Sequence, residues 1–541
     1  MEISQIPLRI GVLIDRDTVE GWEAQLFREL KALGLAHVIV AVRMSDSRTQ
    51  EQQNSGTSSL LFEAVRKLEC LKLRRDPVFS EAMKTYSLND LVTGELVVER
   101  NWSPSGLSWT LPEHEYERLA SEDFDVLIGM SSGVARGRVL SASRHGILSW
   151  QHGDNRLFRG VPPGFWEVFG KSRTSGFTIK RLSDEPASGD VVARGTVTTQ
   201  TYFVRNQYHL RTHSISRMLG VLERLSASGA LPQAECSTPY SYPVRKSPKW
   251  HVTLRYCVAQ GVRLAGKVAR KFRSNDGVWG VGVCDGPWNT ATLCEIHPLE
   301  PLAGTWIADP FVIDFQGRTL CFVEEYVQKI KRGRIAIFEI DGGSHRRLGV
   351  ALEEDFHLSF PFVFESDEQL FMCPETSAVE EVRLYRCDGD LLEWKLHSVP
   401  LTTRKAVDSV VTRSNGKWTL LTNLDETGAS DFGCGVWAFQ SDSLDENDWL
   451  PVGASPIWSD GEALRNGGLI REEGRDFRVG QFSDFAAYGT GFVIEEISLD
   501  DPSHPFRRQV ACVFPEFKAG ISGTHHMSST GLVTAIDYFR T

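Results

Sequence analysis

Residues 146–195, GILSWQHGDNRLFRGVPPGFWEVFGKSRTSGFTIKRLSDEPASGDVVARG, gather the groups best able to do chemistry in the first half of the chain. One imidazole, His152, stands two residues before Asp154, and Glu167, Asp184 and Asp190 follow in the same stretch. An imidazole at hydrogen-bond distance steadies a carbonyl oxygen that gains negative charge, and a nearby carboxylate takes the proton that an attacking group must lose. Asp154, Asn155, Arg159, Phe165, Trp166 and Glu167 also put polar groups and aromatic faces in one turn-rich segment, a composition suited to gripping a sugar or a pterin. At least one of Phe165 and Trp166 is expected in the core.

A second set of candidates lies in the last half. Five segments open alike, WIADPFV at 306, HLSFPFVF at 357, AVDSVV at 406, LRNGGLI at 464 and GTHHMSS at 523. Each precedes strand, turn and strand, and a spacing of roughly fifty residues is the length of one four-stranded propeller blade. Five blades follow. Propellers bind on their axis with inner-strand residues, here Asp309, Ser359, Asp408, Arg465 with Asn466, and His525 with His526. Hydrolysis of a glycoside requires paired carboxylates. Asp309 is a candidate base, with Asp408 and Glu375 for the other roles, but the matching second-blade position holds Phe360 before Pro361. With that set incomplete, sugar recognition is the preferred reading over hydrolysis. The competing role for any one aspartate is a turn cap, and Glu324 with Glu325 reads as a solvated strand edge.

The elements that must carry these residues follow from periodicity. RIGVLID at 9–15 is a buried strand, Val19–Leu33 places Trp22, Leu26, Leu30 and Leu33 at helical spacing, and HVIVAV is a second strand. That order opens a parallel α/β sheet. Residues 44–60 are polar and read as a loop. FDVLIGM at 124–130 and GILSW at 146–150 continue the sheet, and a helix from Val204 to Leu225 closes the half. The Pro- and Ser-rich stretch 226–248 reads as a linker. The next helix, TLRYCVAQGVRLAGKVARKF, is apolar on one side and basic on the other. It is read as packing one domain against the other, with a membrane surface as the alternative. The predicted organisation is an α/β domain at 1–225, linker and basic helix at 226–274, and an all-β propeller at 275–541.

Composition bounds the partners. Hydrophobic residues at 41% and charged residues at 24% suit globular domains with real cores. A net charge of −11 argues against a nucleic-acid face, which needs clustered cations. Ten cysteines without a CxxC pair read as reduced thiols, and no apolar run of about 18 residues predicts a membrane span. The start, MEISQIPLRIGVLIDRD, lacks signal-peptide features. A cytoplasmic protein acting on a small-molecule amine or sugar is the expectation; no metal site is predicted, and the oligomeric state is left open.

The stretch around His152 resembles the formyltransferase family that uses 10-formyltetrahydrofolate. His152 sits at the family histidine, Arg159 and Gly160 at its Arg-Gly, Pro163 at its proline, Ser175, Gly176 and Thr178 at its Thr-Gly-x-Thr turn, and Gly189 at its last glycine. The resemblance implies His152, Asp154 and Asp190 as catalytic groups and Trp150, Asn155, Arg159, Gly160, Ala187 and Gly189 around the cofactor, with Trp166 and Glu167 on the substrate. Trp150 and Ala187 replace the family asparagine and aspartate. Either the site is rebuilt from local carboxylates or formyl transfer has been lost. The second half resembles the arabinanase and xylosidase propellers, and the propeller domain of plant glucosamine inositolphosphorylceramide transferases, through WIADPFV, HLSFPFVF and PET. That likeness implies Asp309, Glu375, Asp408, Arg465 and His525 at a sugar site. The leading expectation is formyl transfer to an amine on a sugar. The alternative is a carbohydrate-binding or glycan-modifying protein with a degenerate first domain and a ligand-binding propeller.

Overall fold

The run LRIGVLI has no polar face to show to water, so it must be covered on both sides. It forms the strand Leu8–Ile14 in the middle of a nine-stranded sheet. The computed structural model describes residues 6–46, 59–153, 156, 158, 160–184, 189–236, 243–272, 277–342, 344–482, 489–501 and 505–540. Two compact units, Met1–Val268 and Ala269–Thr541, divide the chain.

In the first unit, Leu8–Ile14 pairs in parallel with Ala36–Asp46 on one side and Val126–Gly129 on the other. Gly94–Trp102 and Ile147–Gln151 extend the parallel core outward. The expected wholly parallel sheet is corrected at its edges. Thr174–Leu182 and Gly189–Thr198 add an antiparallel pair beside Ile147–Gln151, and Ser108–Thr110 runs antiparallel to Gly94–Trp102 at the far edge. The segment read as a Thr-Gly turn therefore lies inside a strand, because TSGFTIKRL is paired on both sides.

Strand order reverses at Leu8–Ile14, the place where open α/β sheets usually take ligands. Here Asp15 fills it. Its Oδ2 accepts from Ser132 N at 2.8 Å and from Arg100 Nη2 at 3.1 Å, and the buried Arg100 lies 4.4 Å from the Trp102 ring. The predicted linker runs along the same unit: Glu235 N donates to Val191 O at 2.9 Å, and Gly160 bridges to Arg245.

The second unit is a five-bladed propeller. Four blades are continuous: Thr305–Leu352, Ser359–Leu401, Ala406–Pro451 and Arg465–Val513, each of four strands. The fifth takes Met527–Ser529 and Val533–Arg540 from the end of the chain and Val278–Asp285 and His297–Pro298 from the start of the unit. Each blade's inner strand touches the next around a closed ring.

The inner strands of the first four blades share a bulge, where pairing skips between Ala308 and Phe311, Ser359 and Phe362, Val407 and Val410, and Asn466 and Leu469. Asp309, Phe360 and Asp408 stand in these bulges with φ of +49°, +45° and +50°. Non-glycine residues are strained there and persist only where the surroundings hold them.

A buried polar network supplies that hold in the third and fourth blades. Asn466 Nδ2 donates to Asp408 O at 2.8 Å and to Leu421 O at 3.2 Å, while its Oδ1 accepts from Arg478 Nε at 2.7 Å. Asn423 Oδ1 in turn accepts from Asn466 N at 2.8 Å. Asn466→Ala strands three buried groups, so a loss of about 3 kcal/mol is expected in chemical denaturation. A loss below about 1 kcal/mol would contradict this account of the bulge.

Candidate functional site

The bulges bring the predicted inner-strand residues together at one end of the propeller. Asp309 Oδ1 lies 3.0 Å from His525 Nε2, and its Oδ2 accepts from Phe360 N at 3.3 Å. Asp408 pairs with Arg465 and takes a further bond from Gln481 Nε2 at 3.2 Å. Asp309 and Asp408 are buried, whereas the Arg465 side chain keeps 22% of its surface in water.

His525 is held from both sides. Its Nδ1 lies 2.9 Å from Asp537 Oδ2, and Asp537 Oδ1 accepts the backbone N–H groups of His525 and His526 at 2.9 and 3.0 Å. Burial alone would lower the imidazole, but the Asp537 and Asp309 carboxylates outweigh it and hold His525 at about 10. Burial likewise works to raise Asp309, and is outweighed by His525, His526 and Arg465, which leave it below the ordinary carboxylate range. Asp309 is thus an ionised carboxylate beside an imidazolium.

Two other carboxyls go the opposite way. Burial, followed by the charge of Asp408, pushes Glu375 up to about 8. Burial and then Asp309 and Glu375 push Glu324 well above the usual range. Within one cluster, Asp309 is thus held ionised while Glu375 and Glu324 are held protonated at neutral pH, the contrast that separates a base from an acid. His526 completes it. Its ring is fully buried, edge-on to Phe311 and Phe360 at 4.4 and 5.2 Å, and neither ring nitrogen has a hydrogen-bond partner among the described residues.

Asp309, His525 and Asp537 have ligand atoms within 4.8 Å of one another and are the group here that could hold a metal ion. A cation would take that place only after His525 gave up the proton it shares with Asp309.

The first unit does not assemble the site expected of it. His152 Nε2 meets Ser214 Oγ at 3.1 Å, and its ring is edge-on to Trp22 at 5.3 Å and parallel to Trp150 at 6.5 Å. Burial, with Arg211 adding to it, pushes His152 down to about 3. Trp150 Nε1 donates to Ser214 O at 3.4 Å. Asp190 stands opposite Arg181, whereas Gln151, next to His152, stands opposite Thr178 and so in line with Arg194. Four strand residues separate Asp190 from that line, roughly 13 Å, with another strand between. The two residues are not brought together.

The remaining first-unit candidates are placed by packing. Gly160 has φ +116°, and a Cβ there would stand 1.9 Å from Arg245 O, so its close approach is to the chain's own backbone. A Cβ on Gly189 would stand 2.7 Å from Arg181 O. Trp166 Nε1 donates to Val161 O at 3.2 Å beneath the Arg245 guanidinium, and Glu167 is buried in the helix Phe165–Gly170. Asp184 accepts from Gly137 N at 2.7 Å. Asp154, Asn155, Arg159 and Ala187 lie outside the described residues.

Reading Glu324 and Glu325 as a solvated edge is corrected: they are 5% and 0% exposed, and Arg334 and Arg347 pair with Glu325. The sequence does hold a signal for Glu324. Opposite the last inner-strand residue before each bulge stand Glu324, Glu375, Asn423 and Gly480, one position in four blades. Aligning the second strands rather than the first reveals it. Asp537 was also missed, although it interrupts the apolar run of VTAIDYF.

Comparison with known proteins points to the propeller. The family model described as Glucosamine inositolphosphorylceramide transferase 1, N-terminal, matches residues 274–501. Glucosamine inositolphosphorylceramide transferase 1 of Arabidopsis thaliana is 33% identical over 216 residues, which are 39% of this chain and 27% of that protein. The chain thus matches little more than a quarter of that relative's length. The expected likeness of the second half to these plant transferases is met. Among solved structures, Penicillium chrysogenum α-L-arabinanase has a TM-score of 0.30 at 12% identity, covering 43% of this chain and 72% of its own. Glycinamide ribonucleotide transformylase 1 from Symbiobacterium toebii has 0.25 at 16%, covering 41% and 89%. Scores this low assign neither a fold nor a function.

Two outcomes follow from the charges. A carboxyl kept protonated by burial destabilises the fold above its ordinary value, so Glu375→Gln should raise the melting temperature at pH 7 and leave it unchanged near pH 4. A lower melting temperature at pH 7 would overturn that assignment. His525 rises from an ordinary 6.5 to about 10, so its contribution is complete below 6.5 and fades as pH climbs toward 10. The stability gap between wild type and His525→Gln should narrow over that window, and a constant gap would refute the imidazolium.

Proposed function

We propose that this protein modifies a glycan, binding a sugar at the axial end of its propeller, where Asp309 acts as base and Glu375 as acid. The opposed protonation of these two groups is the observation that carries the reading. Asp309 takes the proton of a hydroxyl attacking the anomeric carbon, while Glu375 gives its proton to the oxygen that departs. In this reading Arg465, partly in water beside Asp408, meets the polar edge of the ligand.

The name of the plant relative supports a glucosamine-type sugar and an inositolphosphorylceramide-type partner as substrates. Since the match spans 27% of that relative, its whole activity belongs to the proposal. Formyl transfer from 10-formyltetrahydrofolate receives no comparable support: His152 is occupied by Ser214 and two tryptophans, and Asp190 is turned to another part of the sheet.

The test is binding and turnover of glucosamine-bearing and inositol-phosphate-bearing glycans by the purified chain. Asp309→Asn and Glu375→Gln should each lower turnover by roughly a thousandfold with binding retained. Turnover should fall above about pH 8, as Glu375 loses its proton, and that limb should vanish in Glu375→Gln. His152→Ala should leave turnover intact. Wild-type behaviour of both propeller variants would defeat the reading, and tetrahydrofolate release abolished by His152→Ala would move the chemistry to the first unit.

A further inference from the structure

The helix Trp250–Phe272 is inverted relative to an ordinary amphipathic helix. Its inward positions are polar. Tyr256 Oη donates to Glu69 Oε1 at 2.5 Å and accepts from Phe203 N at 3.0 Å, and Gln260 Nε2 donates to Thr201 O at 2.8 Å. Its outward positions are apolar: Trp250, Leu254, Val258 and Val262 recur every four residues and are between 50 and 68% exposed. Helices normally bury the stripe and show the polar face. Here the anchoring is done by hydrogen bonds, which leaves the stripe in water.

The neighbouring helix Leu60–Leu73, joined to it by the Glu69–Tyr256 bond, also leaves apolar side chains in water. It buries Phe62 and Leu73 and leaves Leu61, Leu68 and Leu71 exposed. Charge names the occupant. The helix 250–272 carries no acidic residue but holds Arg255, Arg263, Lys267, Arg270 and Lys271, within a chain of net charge −11. Arg74 and Arg75 follow the second helix. An exposed apolar face, in a helix of cationic sequence too polar to span a bilayer, matches an anionic lipid surface.

We propose that these two helices seat the protein on an anionic membrane surface, with the stripe from Trp250 to Val262 at the acyl boundary and Arg255 and Arg263 among phosphate headgroups. The proposal stands apart from the axial site, since the stripe from Trp250 to Val262 and its neighbour Arg255 belong to the first unit.

Co-sedimentation of the full chain with vesicles tests it. The protein should pellet with phosphatidylcholine vesicles containing phosphatidylserine and remain in solution with phosphatidylcholine alone, and added salt should weaken binding. The triple substitution Leu254→Ser, Val258→Ser and Val262→Ser should lower the partition coefficient by roughly tenfold or more. Its thermal unfolding should match wild type, because the three side chains are already in water. Arg255→Glu should weaken binding to phosphatidylserine vesicles only. Failure of wild type to pellet with anionic vesicles, or equal pelleting of the triple variant, would overturn the proposal. So would a wild-type dimer that the triple variant converts to a monomer without any vesicle binding, since the face would then be a contact between copies.

Discussion

His525 stands between Asp309 and Asp537 at 3.0 and 2.9 Å, and its charged ring is what lets the buried Asp309 remain ionised. Without it, that charge would face a cost of several kcal/mol for leaving water unpaired. The bridge also joins the first blade to the fifth, so the charge pattern of the site and the closure of the ring share one interaction. Everything else at the axis follows from Asp309 being negative. Glu324 and Glu375 keep their protons partly because that charge already stands beside them.

The propeller was legible because its repeat is carried by residues that the geometry needs. Each opening segment supplies the inner strand, and Asp309, Asp408, Arg465 and His525 were read from those openings and do converge. Glu324 was misread because two adjacent glutamates look like a wet edge, whereas strand alternation sends both into buried surroundings, one toward the carboxyl cluster and one toward Arg334 and Arg347. Asp537 escaped notice for a different reason. Its partners are backbone N–H groups and a histidine just before the strand Met527–Ser529, and pairing of that kind leaves no spacing rule in the sequence.

In the first unit, the opening strand, helix and strand were plain from their periodicity, and the core formed as that pattern requires. The antiparallel edge was not, because a strand such as TSGFTIKRL reads the same whichever direction its neighbours run. That difference decides the fate of the candidate site. Sequence proximity placed His152 and Asp190 together, while the hairpin register carries them apart. The aromatic groups Trp22 and Trp150 then enclose the imidazole and suppress its charged form.

The fifth blade is woven from opposite ends of the unit, Val278–Asp285 lying against Val533–Arg540. During synthesis, the earlier strand emerges long before its partner and must wait, with one edge unpaired, while four blades form behind it. The ring can shut only when Val533–Arg540 is available to pair with Val278–Asp285. Removing Val533–Arg540 would leave four whole blades and yet take away both the closure of the ring and the Asp537 carboxylate that faces His525.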